Sequence, residues 1–511
     1  MICSVYMEKN QSSPLFRKLC EHCKIGGLLE STTRLLEWDQ EVNLPLEGLD
    51  LRSEQNKLMH ESYHKHMTSK TYAKKLSQLI DLETGHILST DLSLRQQSAL
   101  REMRKDYLEK SRIPPSFVKK SAEIITESSE AWKNARKNKS FKEFLPHFRK
   151  VVALSQKKAE YLGFIKHPYD ALLDQYEAGM TVTKIDAIFF PLKKELIAIL
   201  DELSRKGKKT DQIELKGYYP TPSQKDLSKL VVEKLGLAKK FYQLSETAHP
   251  FCQSFSPHDI RITTKYHDDD FTKSFYASIH ECGHALYENN LPYEQFGNPL
   301  GQAASFGVHE SQSRFYETFI GQSFPFLKHF YPEIKKCFEP QLDSLSLNDF
   351  YEAINSVKPS LIRIFADEVT YNIHIVLRYE LEKGLIEGSI DPKHIPELWN
   401  AKMREYLGII PKDDAEGCLQ DVHWCMAFFG YFPSYALGNL YAGSLYESMI
   451  KTHPDWEHKV SHGNFSFLVD FMKSKVYQFG REYPPLQLIE NAIGKPFSSE
   501  PYTTYLRTKY L

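Results

Sequence analysis

Residues 280–284 of this 511-residue chain read His-Glu-Cys-Gly-His. On a helix the two histidines stand at i and i+4, so both imidazoles leave the same face. Two neutral imidazoles at that separation can share one zinc ion. Glu281 lies about 100° further round, placed to reach a water on the metal without serving as a ligand. A zinc hydrolase also needs a third protein ligand and one position left open for water. The segment Ser305-Phe-Gly-Val-His-Glu-Ser-Gln-Ser-Arg-Phe315 offers Glu310 and, as the alternative, His309. Adjacent residues point in different directions, so one of the two is expected to coordinate. Such a set suits amide hydrolysis. The ion acidifies water and polarises the carbonyl. Glu281 takes the water's proton and passes it to the leaving amine, and further donors must meet the developing oxyanion. HExxH is short and also occurs in helices that bind no metal, so the surrounding chain has to supply the rest of the case.

The elements that must hold these residues are mainly helical. Phe275, Ile279, Cys282 and Leu286 fall at i, i+4, i+7 and i+11, an apolar stripe that predicts a helix beginning near Phe271. Apolar residues three and four apart predict further helices over about 15–38, 94–110, 117–137, 144–162 and 185–204. Another is expected from about Pro359 to Lys383, stopping at Gly384. The best strand signal is Ile260–Tyr266, rich in β-branched residues and followed by the acidic turn His267–Asp270. Residues 206–225 read as a surface loop inside one domain. Lys plus Arg (65) nearly balances Asp plus Glu (66), which argues against a broad basic face for nucleic acid or anionic membrane. No apolar run is long enough to cross a membrane, and Met1–Leu15 has no secretory pattern. Eight sparse cysteines suit free thiols in the cytoplasm. The lone Cys20–Cys23 CxxC lacks a second ligand pair nearby and reads as ordinary helix residues.

Several segments then occur in a fixed order: His249-Pro-Phe251, Asp259-Ile-Arg-Ile-Thr263, His280–His284, His309-Glu-Ser-Gln312, Ile362-Arg-Ile-Phe-Ala-Asp367 and Gly417-Cys-Leu-Gln-Asp-Val-His-Trp424. In these the chain resembles the carboxypeptidase Taq family of metallocarboxypeptidases (peptidase family M32). The likeness extends to Trp38–Glu41, Tyr169–Glu177 and Gly430–Tyr441, close to the whole chain, with small departures at Ala178 and Lys265. It implies one domain over residues 1–511, with the active-site motifs within about 249–441. The implied fold is helical and saddle-like, with a deep substrate groove and a small β-sheet beside the active-site helix. The implied third metal ligand is Glu310. The resemblance also implies a homodimer, a divalent metal (Zn2+, with Co2+ as a substitute) and removal of single residues from peptide C-termini with broad side-chain tolerance.

Cleavage at a C-terminus requires recognition of a free carboxylate, which a guanidinium fork grips in a bidentate way. Arg363 is the leading candidate, set against a plain ion pair with Asp367 at i+4. Arg261 is the second, although beside Asp259 it could simply brace the sheet. His423 and Tyr435 are candidates for proton or hydrogen-bond donation to the reacting groups. Gln420 and Asp421 could hold substrate backbone or orient a ligand imidazole, and Trp424 reads as packing. The rival enzyme reading is an oligopeptidase or endopeptidase with the same HExxH-plus-Glu chemistry. The rival non-enzyme reading is a peptide-binding protein, against which the intact His280, Glu281, His284 and Glu310 argue.

Overall fold

The computed structural model describes residues 13–206, 215 and 217–511. The amino-terminal reading therefore falls almost wholly outside the described residues, as does much of the expected 206–225 loop, whose last residues, Thr221–Lys225, instead open the helix Thr221–Lys234. Helices dominate. Pro14–Val42, Leu94–Arg112, Pro115–Asn138, Phe141–Leu162 and Val182–Lys206 match the helices expected from periodicity to within a few residues. No described helix is long and apolar enough to cross a membrane. All seven described cysteines are free thiols.

Packing divides the chain into two compact units, each assembled from three stretches of sequence. The first takes in residues up to Arg112, Gly217–Ala304 and Asn464–Leu488. One apolar cluster there joins Phe16, Leu19 and Cys23 to Tyr72, Leu76, Leu100 and Met103. Burial raises the Cys23 thiol to about 12 and the Cys20 thiol to about 11, so both stay protonated. Arg481 donates to Asp106 at 2.8 and 3.0 Å and to Glu102 at 2.5 Å. Burial opposes the charge on Asp106, but Arg481 holds its carboxyl below the usual range.

The same unit holds the sheet: β1 (Tyr242–Glu246), β2 (Cys252–Ser256) and β3 (Asp259–Thr264), in the order β1-β3-β2. The central β3 runs parallel to β1 and antiparallel to β2. Ile260 and Ile262 face inward. The strand ends at Thr264, whose hydroxyl donates to the Ser274 carbonyl at 3.2 Å and so ties the sheet to the next helix.

That helix is Phe271–Asn290. It starts at Asp270, the last residue of the acidic turn, whose carboxylate caps the Thr272 N–H at 3.0 Å. Phe275, Ile279, Cys282 and Leu286 are all buried, so the expected stripe is the helix's core face.

The second unit takes in Ile113–Lys216, Ser305–Gly463 and Ile489–Leu511. Here one expectation fails. No helix runs from Pro359: residues 359–370 are irregular apart from the short 3-10 turn Arg363–Phe365, and the helix is Tyr371–Glu387. Asp367 replaces a helical start with a knot of its own, accepting from the backbone N–H groups of Lys358, Val369 and Thr370. Gly384 is buried inside the helix, and the stop is Gly388, in the left-handed conformation at φ 88°. Val369 is buried but Phe365 is exposed, so the apolar residues of this stretch do not form one buried helical face.

Candidate metal centre

His280 and His284 project from consecutive turns of the Phe271–Asn290 helix, with ring centroids 4.9 Å apart. Glu281, between them in sequence, is buried. Glu310 belongs to the helix Phe306–Arg314, capped by Ser305 through the Val308 N–H at 3.0 Å. One ligand atom from each of His280, His284 and Glu310 lies within 4.8 Å of the others. His309 is not part of that group. In tetrahedral coordination at about 2.0–2.2 Å, donor atoms sit roughly 3.4 Å apart, within reach of small side-chain adjustments. Two imidazole nitrogens and one carboxylate oxygen suit a divalent ion of intermediate softness and leave coordination positions open. The residues present fit such an ion.

The surroundings of Glu310 are specific. Ser313 donates to its carboxylate at 3.0 Å. Gly438, on the buried helix Phe432–Thr452, packs so closely that a Cβ there would sit 2.5 Å from the Glu310 Cγ. The start of the Glu310 helix is held by Glu177, which is fully buried and accepts from the Gly307 N–H at 3.1 Å and the Tyr441 hydroxyl at 2.9 Å. After Arg314 the chain widens into a π-helix, Phe315–Gly321, a variant frequent near functional sites.

Arg363 anchors a second cluster. Its side chain is only 7% exposed, and its guanidinium lies against the rings of Tyr435, Phe432 and Tyr371 at 5.1, 5.6 and 5.8 Å. Nε and one terminal nitrogen donate side-on to Asp421 Oδ1 at 3.0 and 2.8 Å. The other terminal nitrogen donates to the Tyr371 hydroxyl at 2.9 Å. A guanidinium carries five N–H donors, so this leaves one on each terminal nitrogen. The partner is thus Asp421 and not Asp367. Burial works against the charges of both, yet Tyr371 and Asp421 raise Arg363, and Arg378 together with Arg363 holds Asp421 below the usual carboxylate range.

His423 and Tyr435 meet at 3.3 Å in this cluster. Burial pushes the His423 imidazole down to about 4, so at neutral pH it is a hydrogen-bonding group and not a ready imidazolium acid. Burial likewise keeps the Tyr435 phenol protonated. Gln420 differs from the expectation of a substrate contact. Its oxygen accepts from the Arg363 backbone N–H at 2.9 Å and from Arg378 at 2.8 Å, and its nitrogen donates to the carbonyls of Leu361, Glu416 and Gly417. Arg261 is equally committed. It grips Asp259 at 2.7 and 3.2 Å and Gln243 at 2.8 Å, and it lies over Trp38. Such contacts brace β3 against its neighbours. Trp424 packs against Phe148 and donates to Glu382 at 2.8 Å.

Sequence reading missed Arg378, Tyr371, Ser313 and Glu382. No short motif marks them. Glu382 is fully buried and accepts from Tyr169, Trp424 and the Gly430 N–H, and burial raises its carboxyl to about 7.

The family model described as carboxypeptidase Taq (M32) metallopeptidase matches residues 18–510. Carboxypeptidase 1 of Bacillus subtilis is 36% identical over 93% of this chain and 94% of its own. Thermostable carboxypeptidase 1 of Thermus thermophilus is 36% identical over 97% and 98%. Among solved structures, a Pyrococcus furiosus carboxypeptidase described as apo-Mg superposes with a TM-score of 0.94 at 32% identity, over 98% of this chain and 99% of that one. An M32 carboxypeptidase from Deinococcus radiodurans superposes with a TM-score of 0.93 at 31% identity, over the same shares.

Proposed function

Since the chain belongs to the carboxypeptidase Taq (M32) family and is a metallocarboxypeptidase, we propose that it works with zinc, that Glu281 is the general base, and that it trims peptides from a free C-terminus with broad side-chain tolerance. The observation that carries this reading is the convergence of His280, His284 and Glu310. A bound divalent ion supplies Lewis acidity to the scissile carbonyl and to the attacking water. Glu281, buried and adjacent to His280, takes the proton of that water and returns it to the leaving amine. Arg363 offers its two remaining N–H groups, one on each terminal nitrogen, to the terminal carboxylate. Tyr435 and His423 lie beside that fork and donate hydrogen bonds to the substrate or to the oxyanion.

The 511 residues act as one catalytic domain in this reading, as a homodimer and in the cytoplasm, with neither nucleic acid nor membrane as a partner. The sparse, unpaired cysteines support the cytoplasmic placement. The test is amino-acid release from a mixed peptide pool, with and without chelator, followed by Zn2+ or Co2+ add-back. Each peptide is run beside its C-terminally amidated twin. Release abolished by chelator, restored by Zn2+ and confined to the free acids is the expected result. Equal cleavage of the amidated twins would mean an oligopeptidase or endopeptidase.

A further inference from the structure

Arg378 is the most deeply buried cation in the Arg363 cluster, with no solvent exposure. It lies on the Tyr371–Glu387 helix and touches none of the metal-site residues named above. Its Nε donates to Asp421 Oδ2 at 2.7 Å, and one terminal nitrogen lies 2.6 Å from the same oxygen and 2.8 Å from Gln420 Oε1. The other donates to the His374 carbonyl one turn back, at 2.8 Å. Asp421 is therefore divided: Oδ2 serves Arg378 and Oδ1 serves the side chain of Arg363. Gln420 is divided too, between Arg378 and the backbone N–H of Arg363. Every polar contact of the Arg363 side chain, apart from the Tyr371 hydroxyl, passes through Asp421, which Arg378 also holds.

Hydrogen bonding in this cluster is shared unevenly. Two guanidinium groups share a single carboxylate. Burial pushes the His374 and His423 imidazoles down to about 3 and about 4, so both are neutral at pH 7. Tyr371 and Tyr435 stay protonated. The nearby carboxyls hydrogen-bond elsewhere, Glu382 to Tyr169, Trp424 and Gly430, and Asp367 to backbone N–H groups and the Thr370 hydroxyl, although the charge of Glu382 still acts on Arg378. Burying a second cation that touches no substrate is costly, and a neutral side chain would fill the space more cheaply if packing were all that was needed.

We propose that Arg378, acting through Asp421 and Gln420, is the positioning residue that aims the guanidinium of Arg363 at the terminal carboxylate of the bound peptide. The proposal rests on Arg363 being the carboxylate anchor. Orientation, more than total charge, sets the affinity. Losing the negative charge of Asp421 would make the cluster more positive and still weaken binding, because the guanidinium would no longer be held side-on.

Four proteins decide the matter: wild type, Arg363→Ala, Arg378→Lys and Asp421→Asn, each loaded with metal and assayed on one free-acid peptide. Lysine keeps the charge of Arg378 but is a point donor that cannot bridge Asp421, Gln420 and the His374 carbonyl together. The expected result for Arg378→Lys and Asp421→Asn is a KM raised about tenfold or more, with kcat within about twofold, since misplacement by a fraction of an ångström costs factors of this order. An unchanged KM in Arg378→Lys, or a lowered KM in Asp421→Asn, overturns the positioning role. If Asp421→Asn does not fold, Arg378→Lys alone decides. An unchanged KM in Arg363→Ala defeats the anchor assignment instead, a separate result from failure of the positioning step.

Discussion

Glu310 owes its place to a residue that has no side chain. Gly438 lets the Phe432–Thr452 helix come against it, and a single methyl would meet the Glu310 Cβ and Cγ at 2.7 and 2.5 Å. Gly438→Ala is therefore expected to lower metal retention by about 10–100-fold, the range seen when the supports of a ligand are disturbed. Metal content after dialysis against a buffered ion measures it. Glu281→Gln should behave in the opposite way: full metal content, and a kcat lower by at least about a hundredfold, because a general base has been removed and no ligand touched. Full activity in that variant would remove Glu281 from the role of base. The contrast shows what sequence spacing conveys. His280, Glu281 and His284 are legible because a helix fixes their mutual directions by counting. The roles of Gly438, Ser313 and Arg378 depend on which helix lies opposite, and no local period encodes that.

Among the elements, the helices expected from periodicity in the first 206 residues were found to within a few residues, helices such as Phe324–Cys337, Ile395–Leu407 and Phe432–Thr452 were not anticipated, and the failure at 359–370 has a physical cause. Ile362, Phe365 and Val369 imitate a helical face, but Asp367 offers the backbone a competing set of hydrogen bonds, as aspartate does near helix starts. The irregular backbone that results is what lets Arg363 reach Asp421 across 58 positions of sequence. The metal-motif helix has a conventional beginning. Asp270→Ala removes its cap and should cost about 1 kcal/mol locally. Amide exchange in the first turn, around Thr272, should then quicken roughly fivefold, while His280 and His284, two and three turns on, keep their metal. Unchanged exchange would show that Asp270 does not set the helix start.

For the molecule as a whole, acid stability follows from buried neutral histidines. His374 and His423 protonate near pH 6.5 when unfolded but only near 3 and 4 in the fold, chiefly because burial penalises their charged forms. Between about pH 6.5 and 4 the unfolded chain binds more protons than the folded one, so stability falls as pH falls through that window. His423→Gln should flatten this part of the profile of unfolding midpoint against pH. A profile as steep as wild type would mean that His423 is not held neutral. The family and the helical class could be read from the ordered motifs, which carry nearly the full length of the chain. The division into two interleaved units could not: only the boundary at 216–217 falls in a segment that reads as a loop, and each unit is closed by a stretch distant in sequence.

That interleaving bears on synthesis. Asp106 and Glu102 leave the ribosome early, while Arg481, which neutralises them, lies beyond residue 464 in the last stretch of the first unit. At about 5–20 residues per second the first stretch waits roughly 20–70 s for its counter-charge. Through that interval Asp106 has only the nearby Lys110 and Lys105 for counter-charge, and the guanidinium that bonds both acids arrives 375 residues after Asp106.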